Sequence, residues 1–280
     1  MGRVKGVILA AGYGSRFLPI TRVVPKELLP LVDRPAIDWV VQELVDAGVE
    51  ELLVITSRRK RAVEDWFDTD VELQAKVGLQ RLGVPNVRAT FVRQHEMRGT
   101  GHAMLLARQF AGTDPVLVAF PDDLFGAPNV SAQLVAAYDR TGCAVLACSD
   151  LSGQDVSRYG VVDVSEQQGV LQVRGLVEKP TPGTEPSSIV MWGRFLYTPA
   201  VFDALAAGIA GHTSGEFFAT DALRAVAEQD GLVAEIVGSE RFDTGDKLGY
   251  LQAVVRAGMT HAETGGAFTA WLRATVREAP

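Results

Sequence analysis

The sequence predicts an α/β protein: a mostly parallel, mixed sheet with helices on both faces and a small β-rich part added. Three observations carry this. Over the first 150 residues, short apolar runs alternate with amphipathic stretches, the rhythm of β-α-β units. The runs at 4–11 and 116–120 are apolar almost throughout, as strands covered on both faces are. From about residue 155 the texture changes to short β-rich stretches separated by turns, which reads as a mixed or antiparallel addition.

In chain order, residues 4–11 form the first expected strand. Residues 35–47 place Ile37, Val40, Val41, Leu44 and Val45 at helical spacing, with Pro35 near the start and Gly48 as the stop. A strand follows at 52–56, then a helix over 58–67 with Val63, Trp66 and Phe67 on one side. Strands at 87–92, 116–120 and 144–147 bracket helices at 102–110 and 130–140. The second half offers strands at 160–164, 170–177 and 189–197, helices at 199–207 and 216–229, and a strand at 233–237 leading to Arg241-Phe242-Asp243. Residues 248–258 and 267–277 read as closing helices. No repeat, low-complexity tract or linker interrupts the chain. One domain is therefore expected over 1–280, in three parts: 1–150, 151–247 and the C-terminal helices of 248–280. In such sheets ligands sit beyond the carboxyl ends of the strands. The loops after Ala11 and after Phe120 both lie at such ends.

The composition, 47% hydrophobic and 22% charged, is that of a globular domain. No apolar run reaches the roughly 20 residues a membrane span needs. The basic start and short apolar run of MGRVKGVILAAG read as a buried strand, not a secretory signal, because the run passes straight into Gly12-Tyr13-Gly14 and Arg16. A net charge of −7 speaks against general nucleic-acid binding, yet a local cluster or a metal can still hold a small anion. The two cysteines, Cys143 and Cys148, match neither metal spacing nor a disulfide framework and read as core residues of a cytoplasmic protein.

The chemistry begins at LAAGYGSRFLPITRVVPKELLP. A third glycine three positions after Gly14 would complete a dinucleotide fingerprint, and a Gly-Lys-Ser/Thr would complete a P-loop; neither is present. Gly12 and Gly14 still allow a tight turn with close backbone approach, and freed N–H groups in such a turn make an anion nest. Arg16 presents a fork of donors suited to phosphate, and Lys26 follows as a second cation. His102 and His212 read as structural residues. The run Arg58-Arg59-Lys60-Arg61 reads as a solvated helix start, and Leu248, Leu251, Val254 and Val255 as core or a subunit contact.

The segment AAGYGSRFLPITRVVPKELLPLVDRPAIDWVV resembles the N-terminal signature of the sugar-1-phosphate nucleotidylyltransferases, closest to their uridylyltransferase branch. FVRQHEMRGTGHAMLLA, FPDDL, RYGVVDV, LVEKP, GRFLYTP and FDTGDKLGYLQA continue the similarity in family order over most of the chain. The resemblance implies a Rossmann-like nucleotide half and a β-rich sugar half. It implies that a sugar 1-phosphate attacks the α-phosphorus of a nucleoside triphosphate and pyrophosphate leaves. A phosphate monoester with a second pKa of about 6 is already ionised at neutral pH. Such a reaction needs positioning and charge neutralisation rather than an activating base, which suits a chain with no triad pattern.

The roles that follow are those the resemblance implies. Ala10, Ala11 and Gly12 line the base and ribose, with Gly14 in the same turn. Arg16 and Lys26 bind the triphosphate, Glu27 lies at the nucleotide site, Gln94 reads the base edge, and Gly99 packs the loop against it. Asp122 and Asp243 hold Mg²⁺. Asp123 is a weaker candidate, and the aspartate pair taken alone also fits a capped or solvated turn. In the sugar half, Gly160, Glu178, Lys179 and Glu216 meet the sugar or its phosphate, with Lys247 as a further phosphate candidate. The partners implied are a nucleoside triphosphate, a sugar 1-phosphate and a second copy of the chain, as homodimer or homotetramer, with no nucleic acid and no membrane.

Two positions depart from the family pattern. Phe218 stands where a glutamine is usual, and Trp192, after Met191, where a small aliphatic residue is usual. Both are expected to add apolar bulk near the hexose. Plain glucose with compensating repacking, and a deoxy sugar or cyclitol phosphate, both stay open. UTP is favoured over dTTP, whose base offers the same edge plus one methyl. A dehydrogenase is disfavoured by the missing third glycine. A non-catalytic nucleotide-sugar sensor is disfavoured because Arg16, Lys26, Asp122, Lys179 and Asp243 are all present.

Overall fold

The computed structural model describes residues 3–78, 87–213, 215–229 and 231–278. The domain expected over 1–280 also takes in residues 1–2, 79–86, 214, 230 and 279–280, which lie outside the described residues. The chain opens with β1 (Lys5–Leu9) and a small ribbon of β2 (Pro30–Leu31) and β3 (Arg34–Pro35), followed by α1 (Ala36–Asp46), β4 (Glu51–Thr56), α2 (Arg61–Phe67) and α3 (Val71–Val77). Next come β5 (Arg88–Arg93), α4 (Thr100–Leu105), α5 (Arg108–Ala111), β6 (Val116–Ala119), β7 (Asp123–Phe125), α6 (Val130–Thr141) and β8 (Ala144–Asp150). The second half has β9 (Gly160–Gln167), β10 (Val170–Glu178), β11 (Ile189–Tyr197), α7 (Pro199–Gly211), α8 (Ala219–Ala227), β12 (Leu232–Ile236), β13 (Arg241–Asp243), α9 (Lys247–Thr260) and α10 (Gly265–Glu278).

One nine-stranded sheet in the order β5-β4-β1-β6-β11-β8-β12-β10-β9 runs through both halves. The first four strands are parallel. Beyond them, among the described residues, only β12 and β8 pair in parallel, and β11, β10 and β9 run antiparallel to their neighbours. The β-rich addition thus extends the same sheet. Alternation along the strands feeds two cores. Val7, Leu53, Ile55 and Val118 pack with α4, α7 and α8, while Ile8, Leu52, Val54 and Ala119 pack with α1, α6 and α9.

Local chemistry sets the helix ends. Asn129 caps α6 by accepting from Ala132 N at 2.8 Å, and Gly142 ends it in the left-handed region. Asp246 caps α9 by accepting from the Leu248 and Gly249 N–H groups. Some boundaries differ from expectation. The stretch 102–110 is two short helices, α4 and α5; α8 begins at Ala219, after an extended 216–218; and α3 lacked a clear periodic signal. The stretches around Asp123 and Phe242, to which no strand was assigned from sequence, pair as an antiparallel ribbon, Asp123 facing Asp243. That ribbon brings two distant parts of the site together.

Candidate active site

A cavity of about 360 Å³ opens at the carboxyl ends of β1 and β6. β1 supplies Leu9 and the loop after it Ala11, Gly12, Arg16 and Lys26 to its lining; Gln94, Met97 and Gly99 come from the segment after β5, and Thr100 and Ala103 from α4. Phe120 and Asp122 follow β6, and Glu216 and Phe218 precede α8. The polar groups stand on sheet ends and short turns, as expected for a parallel α/β sheet.

Gly14 adopts φ 67°, which a side chain would resist, and a Cβ there would lie 3.2 Å from Lys26 Cβ. The turn is fixed by Thr21 Oγ1, which donates to the Gly14 carbonyl at 2.8 Å. Gly14 thus lets the loop close onto the Lys26 stem without itself lining the cavity. Ala10 is buried, tied to β4 through its N–H and the Ile55 carbonyl.

Lys26 Nζ lies 2.5 Å from Asp122 Oδ2. Burial alone would lower the Lys26 amine, but the Asp122 and Glu27 carboxylates outweigh it and hold it above its ordinary value. Burial would likewise raise Asp122, and Lys26 overrides it and keeps the carboxyl below the usual range. Thr244 grips the Asp122 carbonyl through its N–H, at 2.7 Å, and its hydroxyl, at 3.0 Å. Asp243 joins from β13: a Cβ on Gly245 would meet Asp122 Oδ2 at 2.5 Å, Arg16 Nη2 at 2.9 Å and Asp243 Oδ1 at 3.0 Å. Four charged residues from three distant segments therefore gather, three of them around Gly245 and Lys26 on Asp122.

A buried frame holds this cluster. Glu27 does not line the cavity; it is fully buried and accepts from Lys60 Nζ at 2.7 Å. Burial pushes Glu27 up and Lys60 down, each toward its neutral form. Lys60 corrects the reading of its basic run: α2 starts only at Arg61, so Lys60 turns inward and is 4% exposed. Asp123 is buried too, with Oδ2 accepting from Gly193 N at 2.6 Å and Oδ1 at 2.6 Å from Arg241 Nη2. The fully buried Arg194 forks onto Glu43, Nε to Oε1 at 2.9 Å and Nη2 to Oε2 at 2.8 Å, and donates to the Asp123 carbonyl at 2.9 Å. Lys60, Arg194 and Arg241 gave no separate signal in the sequence, because their partners are 33 to 151 residues away or buried by a ribbon that reads as a turn.

The remaining wall is built by pairing the 94–101 segment with 216–218. Phe217 N donates to the Arg98 carbonyl and Gly101 N to the Phe217 carbonyl, each at 2.9 Å. Gly99 is required: its φ is 91°, and a Cβ would sit 2.4 Å from the Phe217 carbonyl oxygen. The extended backbone sends Phe217 into the core and Glu216 and Phe218 to the cavity, where Phe218 remains 47% exposed. Gln94 is 5% exposed, and its Nε2 lies 3.1 Å from the Gly99 carbonyl and 3.2 Å from His102 Nδ1.

Other candidates lie apart from this cavity. Gly160 packs against Met191 and Glu178: a Cβ there would lie 2.3 Å from Met191 Cε and 3.0 Å from Glu178 Oε2. Lys179 is exposed at φ 48°, with its N–H on the Tyr159 carbonyl. Lys247 is exposed at the start of α9. Trp192 is not brought to the cavity. Alternation along β11 puts it on the α1/α6 face with Val190 and Leu196, 7% exposed, its Nε1 donating to Ser149 Oγ at 2.8 Å and the Arg241 guanidinium 4.1 Å from its ring centre.

Cations and carboxylates around a cavity at parallel strand ends define an α/β protein that handles phosphate groups. Residues 5–258 match the family model described as nucleotidyl transferase. The chain is 37% identical over 286 aligned positions to YngB of Bacillus subtilis, a UTP–glucose-1-phosphate uridylyltransferase, covering 98% of this chain and 95% of that protein. The UTP-bound UGPase from Acinetobacter baumannii superposes with a TM-score of 0.87 at 30% identity, covering 98% of this chain and 99% of that one. A UDP-glucose pyrophosphorylase complexed with UDP-glucose gives a TM-score of 0.80 at 35% identity, covering 91% and 97%. The chain belongs to the nucleotidyl transferase family.

Proposed function

We propose that the protein joins UTP and glucose 1-phosphate to give UDP-glucose and pyrophosphate. Supporting this are the names of its relatives and, above all, the convergence of Arg16, Asp122 and Asp243 on Gly245, with Lys26 paired to Asp122. An oxygen of the sugar phosphate forms a bond to the α-phosphorus as the bond to the departing pyrophosphate breaks. The monoester is ionised at neutral pH, so no base is needed. Lys26, held charged by Asp122, and Arg16 neutralise the phosphates as they approach. Lys179 meets the sugar phosphate. Gly160, Glu178 and Glu216 meet the sugar, and Ala10, Ala11, Gly12, Gly99 and Gln94 hold the base and ribose.

Asp122 and Asp243 fit magnesium as a carboxylate pair facing one point. Among the described residues no group of three or more His, Cys, Asp or Glu gathers to hold a metal, so further ligands would be phosphate oxygens and water, the usual magnesium habit. When bound, the ion supplies positive charge to the reacting phosphates. The reading includes one domain with nucleotide (1–150) and sugar (151–247) halves, a cytoplasmic setting and a homodimer or homotetramer. No described helix is long and apolar enough to cross a membrane. Leu248, Leu251 and Trp271 are each more than half exposed on α9 and α10, which supports self-association. With Trp192 in the core, the case for a sugar other than glucose rests on Phe218.

The test is pyrophosphate release with Mg²⁺ over a grid of nucleoside triphosphates and sugar 1-phosphates. UTP with glucose 1-phosphate is expected to lead. A lead for dTTP would change the base, one for a deoxy sugar or cyclitol phosphate would change the acceptor, and no release with any pair would end the reading.

A further inference from the structure

The contacts of Gln94 form a chain of forced assignments. The Gly99 carbonyl oxygen only accepts, so the Gln94 atom 3.1 Å from it is the amide nitrogen. That nitrogen only donates, so His102 Nδ1, 3.2 Å away, is the accepting ring nitrogen and the ring proton sits on Nε2. Both amide hydrogens are then taken. The amide oxygen is the one hydrogen-bonding atom of this side chain left to a ligand, and Gln94 lines the cavity.

We infer that His102 is a positioning residue: with the Gly99 carbonyl it locks the Gln94 amide so that only an acceptor faces the base, and this selects uracil or thymine over cytosine. The inference rests on the nucleotidyl transfer proposed above. Uracil and thymine carry N–H at the central nitrogen of their pairing edge, whereas cytosine has a lone pair there and would meet the Gln94 oxygen with repulsion. An amide free to turn would accept either base by presenting its oxygen or its nitrogen. A site built for one hydrogen-bonding pattern rejects the other because a buried group is left unpaired.

The ring must stay neutral for this lock. Burial lowers the His102 pKa, and the Arg98 and His95 charges lower it further, against the Glu96 carboxylate and main chain, which raise it. Protonation would put N–H on Nδ1, expel the amide hydrogen and favour the turned amide. Base selection is therefore coupled to pH through a residue that touches neither substrate nor metal.

The test is kcat/KM for UTP and for CTP, with saturating sugar 1-phosphate, on the wild-type protein, His102→Ala and His102→Asn. Asparagine keeps an acceptor at the Nδ1 position and cannot titrate. His102→Ala is expected to lower the UTP:CTP ratio about tenfold or more, and His102→Asn to preserve it. On acidification from about pH 8 to below the ordinary histidine range, about 6.5, the wild-type ratio should fall and the His102→Asn ratio should hold. An equal loss for both nucleotides in His102→Ala would mean a merely structural role and overturn the inference. So would a wild-type ratio indifferent to pH, an arm that stands even where His102→Ala fails to fold. A wild type that prefers CTP would overturn it together with the proposed base. One that uses UTP with another sugar phosphate would overturn only the sugar, and the ratios would be read with that acceptor.

Discussion

Lys26 Nζ and Asp122 Oδ2 meet at 2.5 Å across 96 residues of chain, and both side chains are less than one-fifth exposed. The cation proposed to meet the phosphates and the carboxylate proposed to hold a metal are thus ordered by each other. Asp122→Asn and Lys26→Ala are each expected to lower turnover by about 10²-fold or more, the size seen when a charge partner of the transition state is removed. Circular dichroism should stay native, and near-normal turnover in either variant would remove the role assigned to it.

The same pair sets a pH window for stability. The folded Asp122 pKa is below its ordinary value of about 3.9, so its contribution is present above that value and lost as pH falls through the lower, folded one. The folded Lys26 pKa is above its ordinary value of about 10.4, so its contribution is present below that value and lost as pH rises through the higher one. Urea midpoints of wild type and Asp122→Asn should therefore differ by a constant amount between about pH 5 and 9 and converge in acid. A gap that changes inside that window would mean the pair titrates there.

Glu27 and Lys60 make a different case, a buried pair beneath the loop. Lys60→Met leaves a fully buried carboxyl without its cation and is expected to cost about 3–5 kcal/mol in chemical denaturation. Adding Glu27→Leu should return most of that loss, because replacing a whole buried pair with apolar groups is often near neutral. If the double variant is no more stable than Lys60→Met, packing rather than charge accounts for the loss.

These contrasts mark what the sequence could say. The strands and helices of the first half were legible because burial on both faces leaves continuous apolar runs, and the Gly-rich turn with Arg16 and Lys26 drew attention to the loop that lines the cavity. The inward turn of Lys60 was not legible, since a basic run looks solvated until the helix is seen to start one residue later. The meeting of Asp122 and Asp243 was implied by the family resemblance alone, because it depends on β7 and β13, whose three-residue strands carry too little pattern to show. The burial of Trp192 was not legible for a related reason: a departure from a family pattern says that a position changed, whereas the face it occupies is fixed by strand alternation and the irregular register of β11 between Met191 and Phe195.

Trp192 and Phe218 should accordingly separate in experiment. Trp192→Phe removes the hydrogen bond to Ser149 and weakens the stacking of Arg241, and should cost about 1–3 kcal/mol of stability with the preferred sugar unchanged. Phe218→Gln, at a half-exposed wall position, should alter stability by no more than about 0.5 kcal/mol while shifting KM for one substrate several-fold. Denaturation curves and a sugar 1-phosphate panel on both variants decide the matter, and a changed sugar preference in Trp192→Phe would contradict its placement in the core.

Gly245 offers the sharpest probe of the cluster. Its backbone is not in the left-handed region, so alanine carries no conformational penalty there. The added methyl would instead lie 2.5 Å from Asp122 Oδ2 and 2.9 Å from Arg16 Nη2, both ends of side chains that can move aside. The fold should survive with a melting temperature near that of wild type, while the charged groups are pushed out of register. A displacement of about 1 Å at a site that works by positioning can cost about 10²-fold in rate. Gly245→Ala is therefore expected to lose turnover on that scale and to need more Mg²⁺ for half-maximal rate. A normal rate with a normal Mg²⁺ requirement would mean that Asp122, Asp243 and Arg16 need not meet at this point for the reaction to proceed.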